Sequence, residues 1–365
     1  NEYLVVWQAN ETLDNNSGVV SFNGANGDNE IWSQRVTPDN VEIGGDVKLT
    51  TMGPAGEAND AFNPAIAYNA VDNQYLLTWN GNDDVAGVPV PPLNTLTNGK
   101  QQIYGQLLSG TAGLIGPAEF DISQTGPAAD PAYDAVNPAV AHNASSNEYL
   151  VTWQDNAELP GKTEIRAQRI TAAGAETGAN DARISDHVPG DVDYDAGFPD
   201  VSWSSVTNEF VVSWSADDDA GARVDNKNEI HVQRLNAAGA QIGPDDLRVS
   251  QMGDDTNAGL DGLFPAITYN AATNEHFVAW RGNTDVAPLV AGEDEIYARR
   301  IKGAAAPGEP PPGTPPGGGI PGTAGAPSAP NCAEVATITG GGASGQLTLT
   351  TTCLLYTSPS PRDED

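Results

Sequence analysis

Basic residues are scarce in this chain of 365 residues: 16 Lys and Arg stand against 49 Asp and Glu, for a formal charge of −33 at pH 7. Nucleic acid and anionic lipid are both gripped by clusters of Lys and Arg, so this balance excludes them as partners. It favours cations, basic proteins or neutral glycans. No apolar run is long enough to span a bilayer, so membrane insertion is not expected. Histidine and cysteine are nearly absent, at four and two residues. No nucleophile elbow and no phosphate-binding glycine loop occurs, and no catalytic set of Ser, His and Asp can be assembled from motifs.

Turn formers are plentiful instead, with 40 Gly and 27 Pro, and between them one unit recurs. Its mark is a heptapeptide: NEYLVVW from Asn1, NQYLLTW from Asn73, NEYLVTW from Asn147, NEFVVSW from Asn208 and NEHFVAW from Asn274, at steps of 72, 74, 61 and 66 residues. Self-similarity at such a period signals an array of supersecondary units. Each unit holds four short β-like runs. The first is NPAIAYN, NPAVAHN, FPDVSWS or FPAITYN, beginning at Asn63, Asn137, Phe198 and Phe264. The second ends in the Trp. The third is EIWSQRV, QIYGQLL, EIRAQRI, EIHVQRL or EIYARRI, and the fourth is of the type DARIS or DLRVS after a Gly-containing turn.

Alternation is clean, with Tyr149, Val151 and Trp153 on one face and Leu150 and Thr152 on the other. Both faces are partly apolar, as in a sheet covered on both sides. Small residues in the first run, such as Ala139 and Ala141, suit an innermost strand crowded around a channel. The fold expected is all-β, a β-propeller of four-stranded antiparallel blades. A row of sandwich domains is the alternative, but about 65 residues per unit is short for a sandwich of about 100. The repeats span 1–302, with copies near 1–59, 60–133, 134–194, 195–260 and 261–302. A Pro/Gly-rich linker follows over 303–331, then a truncated β segment over 332–352. The first and last copies read as incomplete.

If strands two and three form a hairpin, the repeat predicts their register. Setting Trp153 opposite Glu164 places Glu148 opposite Arg169, and likewise Glu2 opposite Arg35, Glu209 opposite Arg234 and Glu275 opposite Arg300. In the second copy the acid is Gln74 and the base Leu107, so both charges vanish together. An opposed charge pair is worth about 0.2–1 kcal/mol, which makes it a register marker rather than catalytic machinery.

Topology puts the connections from strand two to three and from strand four to the next blade on one face. These are the long, acidic loops, so that face is the candidate site. No catalytic residue is assigned. Asp191, Asp193 and Asp195 in DVDYDAG alternate carboxylates as hard-cation loops do, and they are the candidate metal ligands, with Ca²⁺ the candidate cofactor. Asp60, Asp134, Asp195 and Asp261 recur before each first strand, as turn-forming residues or as a shared ring of cation ligands. The histidines His142, His187, His231 and His276 fall at unrelated places and read as core or rim substitutions. The Trp series reads as blade packing.

The repeat NPAVAHNASSNEYLVTWQDN…EIRAQRITAAGAETG…ARIS resembles uncharacterised propeller-type repeats of large secreted or surface proteins of bacteria. The resemblance implies an extracellular or cell-surface module joined to further domains. Signatures of WD, kelch and sialidase repeats are absent, so their functions are not implied. The stretch CLLYTSPSPRD, Cys353–Asp363, resembles a translated sequencing adapter, so 353–365 is expected to be non-native and no disulfide is drawn between Cys332 and Cys353. The function expected is a non-enzymatic binding or adhesion module whose acidic loop face, loaded with Ca²⁺, takes a glycan or protein ligand. The alternatives are a carbohydrate-active hydrolase or lyase with carboxylates at the channel mouth, and a structural spacer of a surface protein.

Overall fold

The computed structural model describes residues 2–10, 12–13, 20–21, 29–52, 60–82, 100–127, 130, 132–159, 161–186, 195–217, 224, 226–283, 293–302, 334–339 and 348–353. These form strands and turns, with no helix among the described residues and hence none long and apolar enough to cross a membrane. Blade 1 holds β1 (Tyr3–Asn10), β4 (Asn29–Val36) and β5 (Glu42–Lys48), with the short pair β2 (Thr12–Leu13) and β3 (Val20–Ser21) between β1 and β4. Blade 2 is β6 (Ala61–Asn69), β7 (Gln74–Gly81), β8 (Gln102–Ser109) and β9 (Leu114–Asp121). Blade 3 is β10 (Ala135–Asn143), β11 (Glu148–Leu159), β12 (Lys162–Thr171) and β13 (Glu176–Arg183). Blade 4 is β14 (Ala196–Ser204), β15 (Glu209–Asp217), β16 (Asn228–Asn236) and β17 (Gln241–Arg248). Blade 5 is β18 (Gly262–Asn270), β19 (Glu275–Asn283) and β20 (Asp294–Lys302). A separate hairpin pairs β21 (Glu334–Thr339) with β22 (Thr348–Cys353), and Cys353 lies opposite Glu334. The expected linker, 303–331, and residues 354–365 lie outside the described residues.

The fold is a β-propeller, and the position of its core shows why. Each apolar cluster straddles two sheets. Ile31, Leu49 and Met52 of blade 1 pack with Leu77, Trp79 and Tyr104 of blade 2. Leu76, Ile103 and Phe120 pack with Tyr149, Val151 and Trp153. The pattern repeats between blades 3 and 4 and between blades 4 and 5. A sandwich would bury these residues within one unit; here blades 2, 3 and 4 leave both faces apolar and a neighbouring blade covers each. The first strands β6, β10, β14 and β18 lie against one another in chain order, and the small Ala67, Ala139 and Ala141 are buried there.

The repeated residues now have physical roles. The Asn that opens each heptapeptide sits at positive φ in the turn between strands one and two: Asn73 at 52°, Asn147 at 54°, Asn208 at 54° and Asn274 at 51°. Asn tolerates this left-handed region better than other non-glycine residues. The Trp that closes the heptapeptide is buried in blades 2 to 5. The acid or amide opening strand three accepts a hydroxyl from the end of strand four. Thr50 donates to Glu30 at 2.6 Å and Ser123 to Gln102 at 2.8 Å, with Ser185 to Glu164 and Ser250 to Glu229. The next residue, a fully buried Ile, donates its N–H to the same hydroxyl at 2.7–2.9 Å. Burying that Ile contributes about 2 kcal/mol.

The strand register corrects the sequence reading by two residues. Glu148 lies opposite Thr171 and Trp153 opposite Arg166, so Arg169 faces Leu150. The charges meet all the same, because residues two apart on a strand share a face and reach diagonally. Arg169 Nη2 is 2.6 Å from Glu148, Arg35 Nη2 2.5 Å from Glu2, Arg234 Nη2 2.7 Å from Glu209 and Arg300 Nη1 3.7 Å from Glu275. The pair also works between blades: Arg169 Nη1 donates to the carbonyl of Ala238 in blade 4 at 3.2 Å. Where the charges are missing, Gln74 Nε2 donates to the carbonyl of Ala172 in blade 3 at 2.7 Å. One amide thus makes the reach to the next blade that Arg169 makes in blade 3.

Candidate functional site

Each first strand carries a bulge near its loop-face end, with register shifts between Phe62 and Ala65, Val136 and Ala139, Gly197 and Asp200, and Leu263 and Ala266. The cause is local, since Pro64, Pro138, Pro199 and Pro265 have no N–H to give the ladder. The residue before each proline turns to positive φ: Asn63 at 51°, Asn137 at 56°, Phe198 at 55° and Phe264 at 53°. Asn adopts this conformation readily. A bulky residue held there costs about 1–3 kcal/mol, and such strain concentrates at functional sites.

The bulges are tied into a belt by the residue that follows each Trp. Gln8 Oε1 accepts the Asn63 N–H at 2.7 Å and Asn80 Oδ1 accepts that of Asn137 at 3.2 Å. Gln154 Oε1 accepts the Phe198 N–H at 2.8 Å, and Ser215 Oγ that of Phe264 at 3.1 Å. Asn63 Nδ2 also donates to Asn137 Oδ1 at 2.8 Å, and Asn137 Nδ2 to Gln154 Oε1 at 3.0 Å. The inner rim of the loop face is therefore held by side chains from the blade before.

This rim is chemically lopsided. Blades 2 and 3 present the two asparagine amides. Blades 4 and 5 present Phe198 and Phe264, exposed by 39% and 45%, with ring centroids 4.4 Å apart at 66°. Arg281, which follows the last Trp, holds its guanidinium 4.8 Å from the centre of the Phe264 ring, a cation–π distance. One blade also carries a carboxylate where its siblings carry alanine. Asp200 stands in place of Ala65, Ala139 and Ala266, accepts the Ile267 N–H at 2.7 Å, and is pushed above the usual carboxylate range by burial.

Of the residues expected to form a metal site, only Asp195 falls among the described residues. Asp191 and Asp193 lie outside them. One oxygen of Asp195 accepts the Thr163 N–H at 2.9 Å, and the other is 3.6 Å from Lys162 Nζ. The remaining members of the recurring series do the same work as Asp195. Asp60 accepts the N–H of Asn29 at 2.7 Å, Asp134 that of Gln101 at 2.8 Å and Asp261 that of Asn228 at 2.8 Å. Each donor opens strand three of the preceding blade, so this Asp latches one blade to the last. No group of three His, Cys, Asp or Glu able to hold a metal occurs among the described residues.

The other sequence candidates divide in the same way. His142 packs tilted against Tyr149 with centroids 5.0 Å apart, and His231 stacks on Trp214 at 6.2 Å. His276 is buried, shares a 2.7 Å hydrogen bond with Ser202 Oγ, and is driven down to about 4 by burial and by the charge of Arg234. His187 lies outside the described residues. Two lysines that patterning passes over are fully buried. Lys100 Nζ donates to the carbonyls of Thr125 and Pro127 at 2.5 and 2.8 Å, and Lys227 Nζ to those of Met252 and Leu260 at 2.8 and 2.5 Å. The change from Asn to Phe before an otherwise constant proline was the visible signal for the rim; its meaning required knowing that this strand is innermost.

The sequence matches no family model and no curated protein. Solved structures are similar in fold. An endo-arabinase from Bacteroides thetaiotaomicron has a TM-score of 0.40 at 13% identity, over 82% of this chain and 94% of that one. A GH93 α-L-arabinofuranosidase of Fusarium graminearum, solved with arabinobiose, has a TM-score of 0.43 at 12% identity, over 75% and 67%. An N-acetylgalactosamine deacetylase from F. plautii, solved with blood group B trisaccharide, has a TM-score of 0.41 at 11% identity, over 81% and 87%. All three act on carbohydrates. The expectation of a non-enzymatic binding or adhesion module is corrected against these neighbours, each of them a carbohydrate-active enzyme. The likeness assigns neither substrate nor catalytic residue to this chain.

Proposed function

We propose that this propeller is a carbohydrate-active hydrolase or lyase that takes a neutral glycan at the inner rim of its loop face. The observation that carries the reading is the pair Phe198 and Phe264. Two exposed rings are held at a backbone angle that costs free energy, side by side, next to an arginine and two amides. Sugars present an apolar C–H face and a fringe of hydroxyls, which suits an aromatic floor flanked by a few directed polar groups. Asn63, Asn137 and Arg281 supply those groups in this reading, and Phe198 and Phe264 the floor. The proposal assigns binding roles only and names no catalytic acid. An extracellular or cell-surface location accords with it.

The test is a panel of neutral oligosaccharides, arabino- and galacto-oligosaccharides among them, followed for turnover by mass spectrometry and for binding by calorimetry. Turnover of one member with KM raised by Phe198→Ala and by Phe264→Ala is the expected result. Failure to bind or turn over any glycan, or activity indifferent to both substitutions, would sink the reading.

A further inference from the structure

The outer edge of blade 5 breaks the repeat in one specific way. The Ile that follows the acid or amide near the start of strand three is fully buried in the four preceding blades, as Ile31, Ile103, Ile165 and Ile230. In blade 5 its counterpart Ile296 is 77% exposed. Glu295 is exposed as well, whereas Glu30, Gln102, Glu164 and Glu229 are buried. The reason is that no fourth strand lies against β20 among the described residues. Elsewhere that strand makes three recurring contacts. Its hydroxyl bonds the acid or amide, as shown above. Its aliphatic residue donates its N–H to the Ile carbonyl, as Leu49, Ile122, Ile184 and Val249 do at 2.7–2.8 Å. The residue before that aliphatic one answers the acid.

That last contact varies with its partner. Lys48 precedes Leu49, and its Nζ lies 3.1 Å from Glu30. Arg248 precedes Val249, and its Nη2 lies 2.6 Å from Glu229. Arg183 precedes Ile184, and Glu164 acts on its charge. In blade 2 the amide Gln102 takes the place of the acid, and there the base is replaced by Asp121. A base therefore stands on strand four wherever an acid stands on strand three. Blade 5 has the acid, Glu295.

We propose that the open edge of β20 accepts an extended strand from a partner segment carrying a basic, an aliphatic and a hydroxyl residue in succession. The basic residue pairs with Glu295, the aliphatic residue covers Ile296, and the hydroxyl bridges the Glu295 carboxylate and the Ile296 N–H. Addition of a strand to an exposed edge draws affinity from the backbone and specificity from alternate side chains, which is the division of labour seen in the complete blades. Neither β21 nor β22 contains a basic residue, and these two pair with each other.

The chain's own fourth strand of blade 4 provides the probe: a fluorescent peptide with the sequence of residues 243–252, GPDDLRVSQM, titrated into the full chain by anisotropy. Saturable binding is expected. Changing the Arg of the peptide to Asp should weaken it about tenfold, and changing the Ser to Ala several-fold, since charge-assisted and buried hydrogen bonds carry the discrimination. Glu295→Gln, an exposed change that leaves the fold intact, should abolish the preference for Arg over Asp while retaining backbone pairing. Absence of saturable binding, equal binding of all three peptides, or self-association of the chain through this edge in sedimentation would each overturn the proposal.

Discussion

Replacing His276 by Phe, the residue Phe210 at the equivalent place in blade 4, should change how stability depends on pH. The imidazole is buried between blades 4 and 5 against Ser202 and is held down to about 4, first by desolvation and then by Arg234. It is therefore neutral in the folded chain, while the unfolded chain protonates it at the ordinary value of 6.5. Below pH 6.5 unfolding takes up a proton that the native state refuses, so stability falls with pH and levels off below about 4. That interval corresponds to a loss of about 3 kcal/mol at about 1.36 kcal/mol per pH decade. The variant has no such loss, but it forfeits the bond to Ser202, at about 1 kcal/mol. It should be the less stable protein at pH 7.5 and the more stable one at pH 4.5, with the curves crossing between about pH 5.5 and 6. Urea denaturation of both proteins from pH 4 to 8 measures the difference, in which the other titrating groups cancel. Parallel profiles would refute the reasoning, because they would mean the imidazole titrates alike in both states.

Asp121 is pushed up to about 8 by burial and by Asp181 and Glu176, so its contribution to stability is complete below the ordinary value of 3.8 and lost as pH rises through about 8. Thermal melts of Asp121→Asn should rise relative to the parent as pH increases from 4 to 8. Phe264→Asn recreates the residue that blades 2 and 3 carry at this angle, so it should keep or raise the melting temperature by relieving about 1 kcal/mol of strain while lowering glycan affinity. Converting Glu148 to Gln and Arg169 to Leu together reproduces blade 2. A double-mutant cycle in denaturant should give a coupling of up to about 1 kcal/mol, because both groups are mostly shielded from solvent. A coupling of zero would mean the pair contributes nothing beyond its separate contacts.

The repeat, its four strands and its propeller arrangement were legible from residues alone, because period-two alternation with both faces apolar leaves a blade no way to bury itself except against copies of itself. The pairing of Glu148 with Arg169 was legible too. Its register was not, since a direct and a diagonal pair leave the same covariation in sequence and only the backbone distinguishes them. The recurring Asp60, Asp134, Asp195 and Asp261 could be counted but not interpreted: their partners open the third strand of the blade before, some thirty residues back, and local turn chemistry is silent about that. The rim was the most hidden. Asn63, Asn137, Phe198 and Phe264 read as the first letters of a strand, and Gln8, Asn80, Gln154, Ser215 and Arg281 as whatever follows a tryptophan. Radial packing alone sets these two series against each other, because it places the start of one blade's inner strand beside the end of its neighbour's second. Chain chemistry decided what each blade is made of; tertiary structure decided which side chains of different blades share one rim.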